Sequence, residues 1–296
     1  MLFGAPTINL NFINELERQT PNLIVWAVPA MILFTLIEIV FSYKDNKEYY
    51  EKQELTGSIL VGLGNLVVSA ALKVSLLLLV VWIYNQVPWR MHLNWWTFPV
   101  CYILYDLCSY WAHRISHEQR FWWATHVAHH SGEHYNLAVS FRLSWVQHLK
   151  IIFLMPVLLM GFHPIVFFVT NQIAVLFQFW VHTEYIRKLH PIFEFILATP
   201  SNHRVHHGSQ DCYIDKNYGA TFIIWDRMFG TYEPEHIPVK YGLTTPIDNK
   251  WNPFFINFHE YKDIWQDVRQ AKGFKQKWHY LFGSPAQIAR EKKQEL

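Results

Sequence analysis

"LIVWAVPAMILFTLIEIVFSY", Leu23–Tyr43, decides what kind of molecule this chain makes. A hydrocarbon core about 30 Å thick takes about 20 helical residues. This run supplies one span, with Pro29 and the charged Glu38 as its irregular members. Working outward, a second apolar run from about Gly57 to Val87 is overlong, so it must tilt or extend beyond the lipid. Lys73 interrupts it and needs to snorkel or find a partner. A third run covers Asn94 to His113, and Leu149 to Trp180 reads as two apolar helices hinged at Gly161–Pro164, because proline cannot continue the helix before it. The expected fold is an all-α integral membrane protein with four or five membrane helices and a cytoplasmic helical cap.

Composition agrees with that class. Of 296 residues, 51% are hydrophobic, 17% aromatic and 16% charged, against roughly 25% charged in an average soluble domain. Cytoplasmic loops carry the excess of Lys and Arg. If the third run ends on the cytoplasmic side, all of the 25 basic residues except Arg18, Arg90 and Lys73 fall on that side. The net charge of +2, with no basic stripe, excludes nucleic acid as a partner. Cys101, Cys108 and Cys212 suggest neither a disulfide framework nor a zinc ribbon. The N-terminus lacks the pattern of a cleaved signal peptide, so the chain is expected to insert by its own spans. From about Arg187 onward it is too polar to span; "YKDIWQDVRQAKGFKQKWHYLF" there suits an interfacial helix or one packed on the protein. No repeat or linker divides residues 1–296, which read as a single domain.

That polar end is rich in clustered imidazoles. His203, His206 and His207 in "TPSNHRVHHGSQ" stand at i, i+3 and i+4, so on a helix they project from one face. His126, His129 and His130 in "HVAHH" repeat the spacing, and His113 and His117 in "HRISH" stand at i and i+4. The third run ends at the last pair, and the hinged pair ends at His182. So many imidazoles exceed what one zinc takes and suit two metals. Imidazole accommodates zinc, copper, iron or nickel, so ligand type alone does not name the metal. The two Glu-x-x-His motifs that ferritin-like di-iron proteins combine are not both present, and the H-E-x-x-H signature is absent from the sequence.

The three motifs "HRISH", "HVAHH" and "HRVHH" resemble the H-x-x-x-H, H-x-x-H-H and H-x-x-H-H boxes of the membrane fatty acid hydroxylase and sterol desaturase superfamily. The flanks "AHHSGEHYNLAVSFR" and "HRVHHGSQDCYIDKNYGATFIIWDRMFGTYE" look most like its alkylglycerol monooxygenase branch and bacterial relatives. The resemblance covers about Asp106 to Glu233, within a histidine-box core of about 100–235. It implies a non-haem oxygenase with two iron ions, which uses O2 and external electrons to hydroxylate a C–H bond of a fatty-acyl, glycerol-ether or sterol lipid. Tetrahydropterin, cytochrome b5 or a ferredoxin-like protein would be the reductant. By motif position the ligands would be His113, His117, His126, His129, His130, His203, His206 and His207. His182 in "HTE" occupies the place of the family's extra histidine.

Asp106 lies two helical turns before His113, and a carboxylate inside a span needs such a partner to orient. Glu184, Asp211, Asp215 and Asn217 flank later ligands and would do likewise, or cap turns. Arg114, Arg142 and Arg204 are expected to meet lipid phosphates. His134 falls off the face of its neighbours, and His92, His148, His163, His190, His236, His259 and His279 read as caps or surface side chains. A desaturase with the same site, a zinc-dependent membrane hydrolase and a membrane metal-binding protein are the competing readings. Such a protein would need polar residues lining the middle of its spans to pass ions, where only Glu38, Lys73 and Asp106 qualify.

Overall fold

The computed structural model describes residues 3–295. Its helices are α1 (Ile13–Gln19), α2 (Leu23–Lys44), α3 (Lys52–Gln86), α4 (Thr97–Glu118), α5 (Arg120–Trp123), α6 (Val127–His130) and α7 (Met155–Leu159). They continue with α8 (Pro164–Trp180), α9 (Pro191–Ile196), α10 (Pro200–His206), α11 (Ile224–Phe229), α12 (Pro253–Gln270), α13 (Phe274–Phe282) and α14 (Pro285–Glu295). No strand forms among the described residues, which hold only isolated bridges at Phe3–Met91 and Leu197–Phe222.

The two longest helices are the ones that sequence marks most strongly. The side chain of Asn22 caps α2 by accepting from the Val25 N–H, and Pro29 is carried inside the helix. α2 leaves Trp26, Leu33, Phe34, Leu36 and Val40 facing outward, the surface of a helix that meets lipid. α3 has 35 residues, about 52 Å at 1.5 Å per residue, so it outruns the bilayer. Gly57 and Gly64 allow close packing on it: a Cβ at Gly57 would stand 2.2 Å from the Lys250 carbonyl oxygen, and one at Gly64 2.3 Å from the Trp145 ring. The charges inside the two apolar runs, Lys73 and Glu38, find partners. Lys73 pairs with Glu17 at 2.7 Å. Glu38 is buried at the inner end of α2, where it accepts from the Leu137 N–H at 2.8 Å and from the hydroxyls of Tyr50 and Thr183.

The other expected spans are helical but shorter or less apolar. Among the described residues, α2 and α3 are the two helices long and apolar enough to cross a membrane. α4 has one polar face. The hinged pair comprises the apolar stretch Gln147–Leu159, a 3-10 turn running into α7, and α8. The hinge falls where proline placed it: Gly161 has φ +78, His163 caps the Ile165 N–H, and Pro164 opens α8. α3, α4, α7 and α8 share a core of Val80, Ile83, Cys101, Tyr105, Val157, Val166 and Phe167.

This bundle delivers the ends of α4 and α8 to one side, where short helices close over them. Arg120 joins two of these, donating to Glu260 at 2.6 Å and Asp267 at 2.5 Å on α12. Asp106 ties α4 to the loop before α11, accepting from the N–H groups of Thr221 (2.9 Å) and Phe222 (3.0 Å) and from the Trp225 indole (2.9 Å). Asp106→Asn keeps the shape but turns donors toward donors. It is expected to cost about 1–3 kcal/mol, read as a lower Tm of the detergent-solubilised chain, while a substitution at exposed Asp211 leaves Tm unchanged.

Candidate metal centre

Two groups of imidazoles lie beneath that cap. One comprises His113, His117, His126, His130 and His206; the other comprises His129, His182, His203 and His207; within each, the candidate ligand atoms lie within 4.8 Å of one another. All of the histidines proposed from the motifs are therefore gathered, His182 included. His134 is outside both groups and bonded to Glu54 at 3.0 Å. His148, His163, His190, His236, His259 and His279 make contacts elsewhere.

The division of each box differs from the expectation of one shared point. His126 and His130 join the first group while His129 joins the second; His203 and His207 join the second while His206 joins the first. The cause is helical phase: successive residues turn by 100°, so i and i+4 point nearly together and i+3 points away from i+4. Two boxes thus interlock, each giving a pair to one group and a single ring to the other. The groups share a wall, with the His130 and His207 rings stacked at 4.3 Å.

Ring orientation is set by backbone carbonyls. His113 Nδ1 bonds the Tyr218 carbonyl at 2.7 Å, His206 Nδ1 that of Lys216 at 3.1 Å, and His182 Nδ1 that of Gln178 at 2.7 Å. Each Nδ1 is then the N–H, and each Nε2 carries a lone pair aimed inward. Those nitrogens crowd together: His113 to His126 at 2.8 Å, His206 to His130 at 3.1 Å, His182 to His129 at 3.1 Å and His203 to His182 at 3.0 Å, all Nε2 to Nε2. Nitrogens sharing one ion at about 2.1 Å and a right angle stand about 3.0 Å apart. His117 Nε2 and His207 Nε2 are buried with no hydrogen-bond partner, a state that buried polar atoms rarely occupy without an ion or water. The residues fit two nitrogen-bound metal ions.

Electrostatics supports the same use. Burial pushes His206 down to about 4 and His182 down to about 3. Burial likewise holds His129, His203 and His207 well below the ordinary imidazole value, with neighbouring imidazoles adding to it. For His126 the charge of Lys150 adds to burial. These rings are therefore neutral at neutral pH, the form that a metal ion binds. No carboxylate belongs to either group; the nearest approach among the described residues is Asp215, 3.9 Å from His117 Nδ1.

Several flanking residues play other parts than expected. Asp106 holds the 221–225 loop and touches no imidazole, because the loop's N–H groups reach its carboxylate first. Asn217, at φ 55, donates to the carbonyls of Asn202 (3.0 Å) and Glu233 (2.8 Å) and so fixes the turn that presents the Lys216 and Tyr218 carbonyls. Glu184 accepts from the Tyr241 hydroxyl; that ring stacks at 4.8 Å on Tyr135, which lies 5.7 Å from His182 and 5.2 Å from His207. Asp211 reaches outward to Arg290. Arg142 and Arg204 are each 1% exposed and do not meet lipid. Arg204 donates to Glu235 and to the Thr183 and Ile186 carbonyls; Arg142 donates to Ala128, Glu54, Ser58 and Ser131. Arg114 pairs with Glu118. Tyr218, Lys216 and Gln178 act through the main chain, which leaves no trace in residue type.

The sign of the pH response follows from burial. Folded imidazoles stay neutral below 6.5, whereas unfolded ones protonate at about 6.5, so acid favours the unfolded state. Metal-stripped protein is expected to keep a constant Tm above about pH 6.5 and to lose stability steadily toward pH 4, where His206 titrates in the fold. Scanning calorimetry across that range checks it; a flat profile would contradict the buried, neutral assignment.

Comparison with known proteins places this arrangement. Residues 98–231 match the fatty acid hydroxylase family model. The chain is 35% identical over 292 residues to alkylglycerol monooxygenase of Danio rerio, covering 96% of this chain and 64% of that protein. It is 37% identical over 275 residues to alkylglycerol monooxygenase of Homo sapiens, covering 90% and 60%. An ornithine lipid hydroxylase of Rhizobium tropici is 27% identical over 149 residues, covering 49% and 45%. The chain thus spans less than two thirds of the length of these relatives. No solved structure matches it. Residues 98–231, which carry both histidine groups, thus resemble the fatty acid hydroxylase family.

Proposed function

We propose that this chain is a membrane-embedded lipid hydroxylase, with two iron ions held by the five-histidine and four-histidine groups and a glycerol-ether lipid as substrate. One observation carries the reading: buried lone-pair nitrogens face one another in two adjoining groups beside outward-facing apolar helices. The names of the relatives support the ether-lipid substrate. Bound iron would supply O2 activation and one-electron steps for attack on an unactivated C–H bond.

The chain's own residues do the positioning. The Tyr218, Lys216 and Gln178 carbonyls fix the Nδ1–H of three rings and so aim their Nε2 atoms. Asp106 and Asn217 hold the loop that carries two of those carbonyls. The Tyr135–Tyr241 stack and Glu184 back the four-histidine group and keep bulk water from it. α9 exposes Ile192, Phe193 and Phe195 beside α10, an apolar approach for an alkyl chain. The reading includes a single domain over 1–296, four or five membrane segments with α4 and the hinged pair entering the bilayer, a cytoplasm-facing centre and an external reductant. The charge asymmetry of the loops supports that orientation.

Hydroxylation at the carbon bearing the ether oxygen gives a hemiacetal, which separates into a fatty aldehyde and a glycerol. The test uses the purified, iron-loaded chain in nanodiscs with an alkylglycerol, supplied reductant and isotope-labelled O2, the aldehyde being reduced at once to the alcohol. The expected product carries one labelled oxygen, and His206→Ala lowers its formation by at least about 100-fold while His259→Ala leaves it within about twofold. Unlabelled product, or turnover without O2, would mean hydrolysis; a new double bond would mean desaturation.

A further inference from the structure

We infer that Lys150 is a specificity determinant that binds the anionic phosphate head of a lipid substrate beside the five-histidine group. Lys150 lies in the 3-10 segment Gln147–Leu154, which packs along α4. In a 3-10 helix residues i and i+3 eclipse, so Lys150 shares its face with Phe153. The Phe153 ring meets Trp122 on α5 at 4.7 Å, just ahead of His126. Leu149 and Ile152, on the other faces, are turned outward. Lys150 is therefore the cation of this segment that faces the centre, half-buried.

Two features make it a binding group instead of a structural one. Among the described residues its ammonium has neither a salt-bridge partner nor a hydrogen bond, whereas Arg114, Arg120, Arg204 and Lys250 each pair with a carboxylate and Arg142 is satisfied by carbonyls and hydroxyls. An unpaired ammonium in a half-buried place is a standing cost that an anion from outside the chain removes. Neither histidine group has a carboxylate member, and the nearest one, Asp215, stands at His117. The Lys150 charge is close enough to act on His126, His129 and His206. A phosphate on Lys150 would set the distance from head group to metals, and with it the carbon presented.

This inference rests on the lipid hydroxylase reading for its substrate, but its test does not need turnover. Binding of decyl phosphate, decanol and inorganic phosphate to the full, metal-loaded chain in neutral detergent is measured by microscale thermophoresis. Wild type is expected to bind decyl phosphate about tenfold more tightly than decanol and more tightly than inorganic phosphate. Lys150→Met should abolish the preference and Lys150→Arg should keep it. A preference that survives Lys150→Met, or equal binding of decyl phosphate and decanol by wild type, would overturn the assignment. Inorganic phosphate binding as tightly as decyl phosphate would make this a free-anion site and overturn the head-group reading. Tight phosphate-lipid binding without oxygen incorporation from any ether lipid would sink the hydroxylase reading alone.

Discussion

Lone pairs facing lone pairs at about 3 Å, away from water, form the constraint on which the rest of this structure depends. Once Nδ1 of His113, His206 and His182 is committed to a backbone carbonyl, each opposite nitrogen has only an acceptor to offer. Such nitrogens repel unless a cation lies between them. The fold spends its buried polar bonds on holding this arrangement: Asp106 and Asn217 on the 217–225 loop, Arg204 on the turn after His182, and Arg142 on the helix of the second box. The apolar helices provide the other half, an outer surface that belongs in lipid and a dry wall behind the imidazoles.

Much of this was legible in the order of residues. Leu23–Tyr43 and the long run from about Gly57 to Val87 announce themselves by length and scarcity of charge, and Gly161 with Pro164 fixes the hinge because both act on the backbone directly. The set of histidines that gathers was legible because imidazoles at helical spacing share one side of a helix. What the sequence does not disclose is three-dimensional pairing. The same i, i+3, i+4 pattern is compatible with one centre or with two, and only the packing of α6 against α10 shows that the boxes exchange their i+3 members.

The carboxylates and guanidinium groups were harder to read. Asp106 has the right spacing to meet His113, yet two backbone N–H groups and an indole claim it, since a carboxylate takes whichever donors the fold leaves unpaired. Arg142 and Arg204 read in the sequence like surface residues, but a planar group with five donors can satisfy itself indoors, Arg142 on carbonyls and hydroxyls and Arg204 on carbonyls and one carboxylate. The residues that orient the imidazoles do so by main-chain oxygen, so substitution patterns in their side chains carry little signal. Lys150 was hidden for the opposite reason, as one charge in an apolar run that reads simply as membrane.

What the two histidine groups hold decides the chemistry of this protein. X-ray absorption at the iron edge, with metal analysis of the purified full chain, measures it directly. Two iron ions per chain are expected, each in a shell of imidazole nitrogen at about 2.1 Å. One metal or none per chain, or a shell dominated by carboxylate oxygen or sulfur, would contradict it.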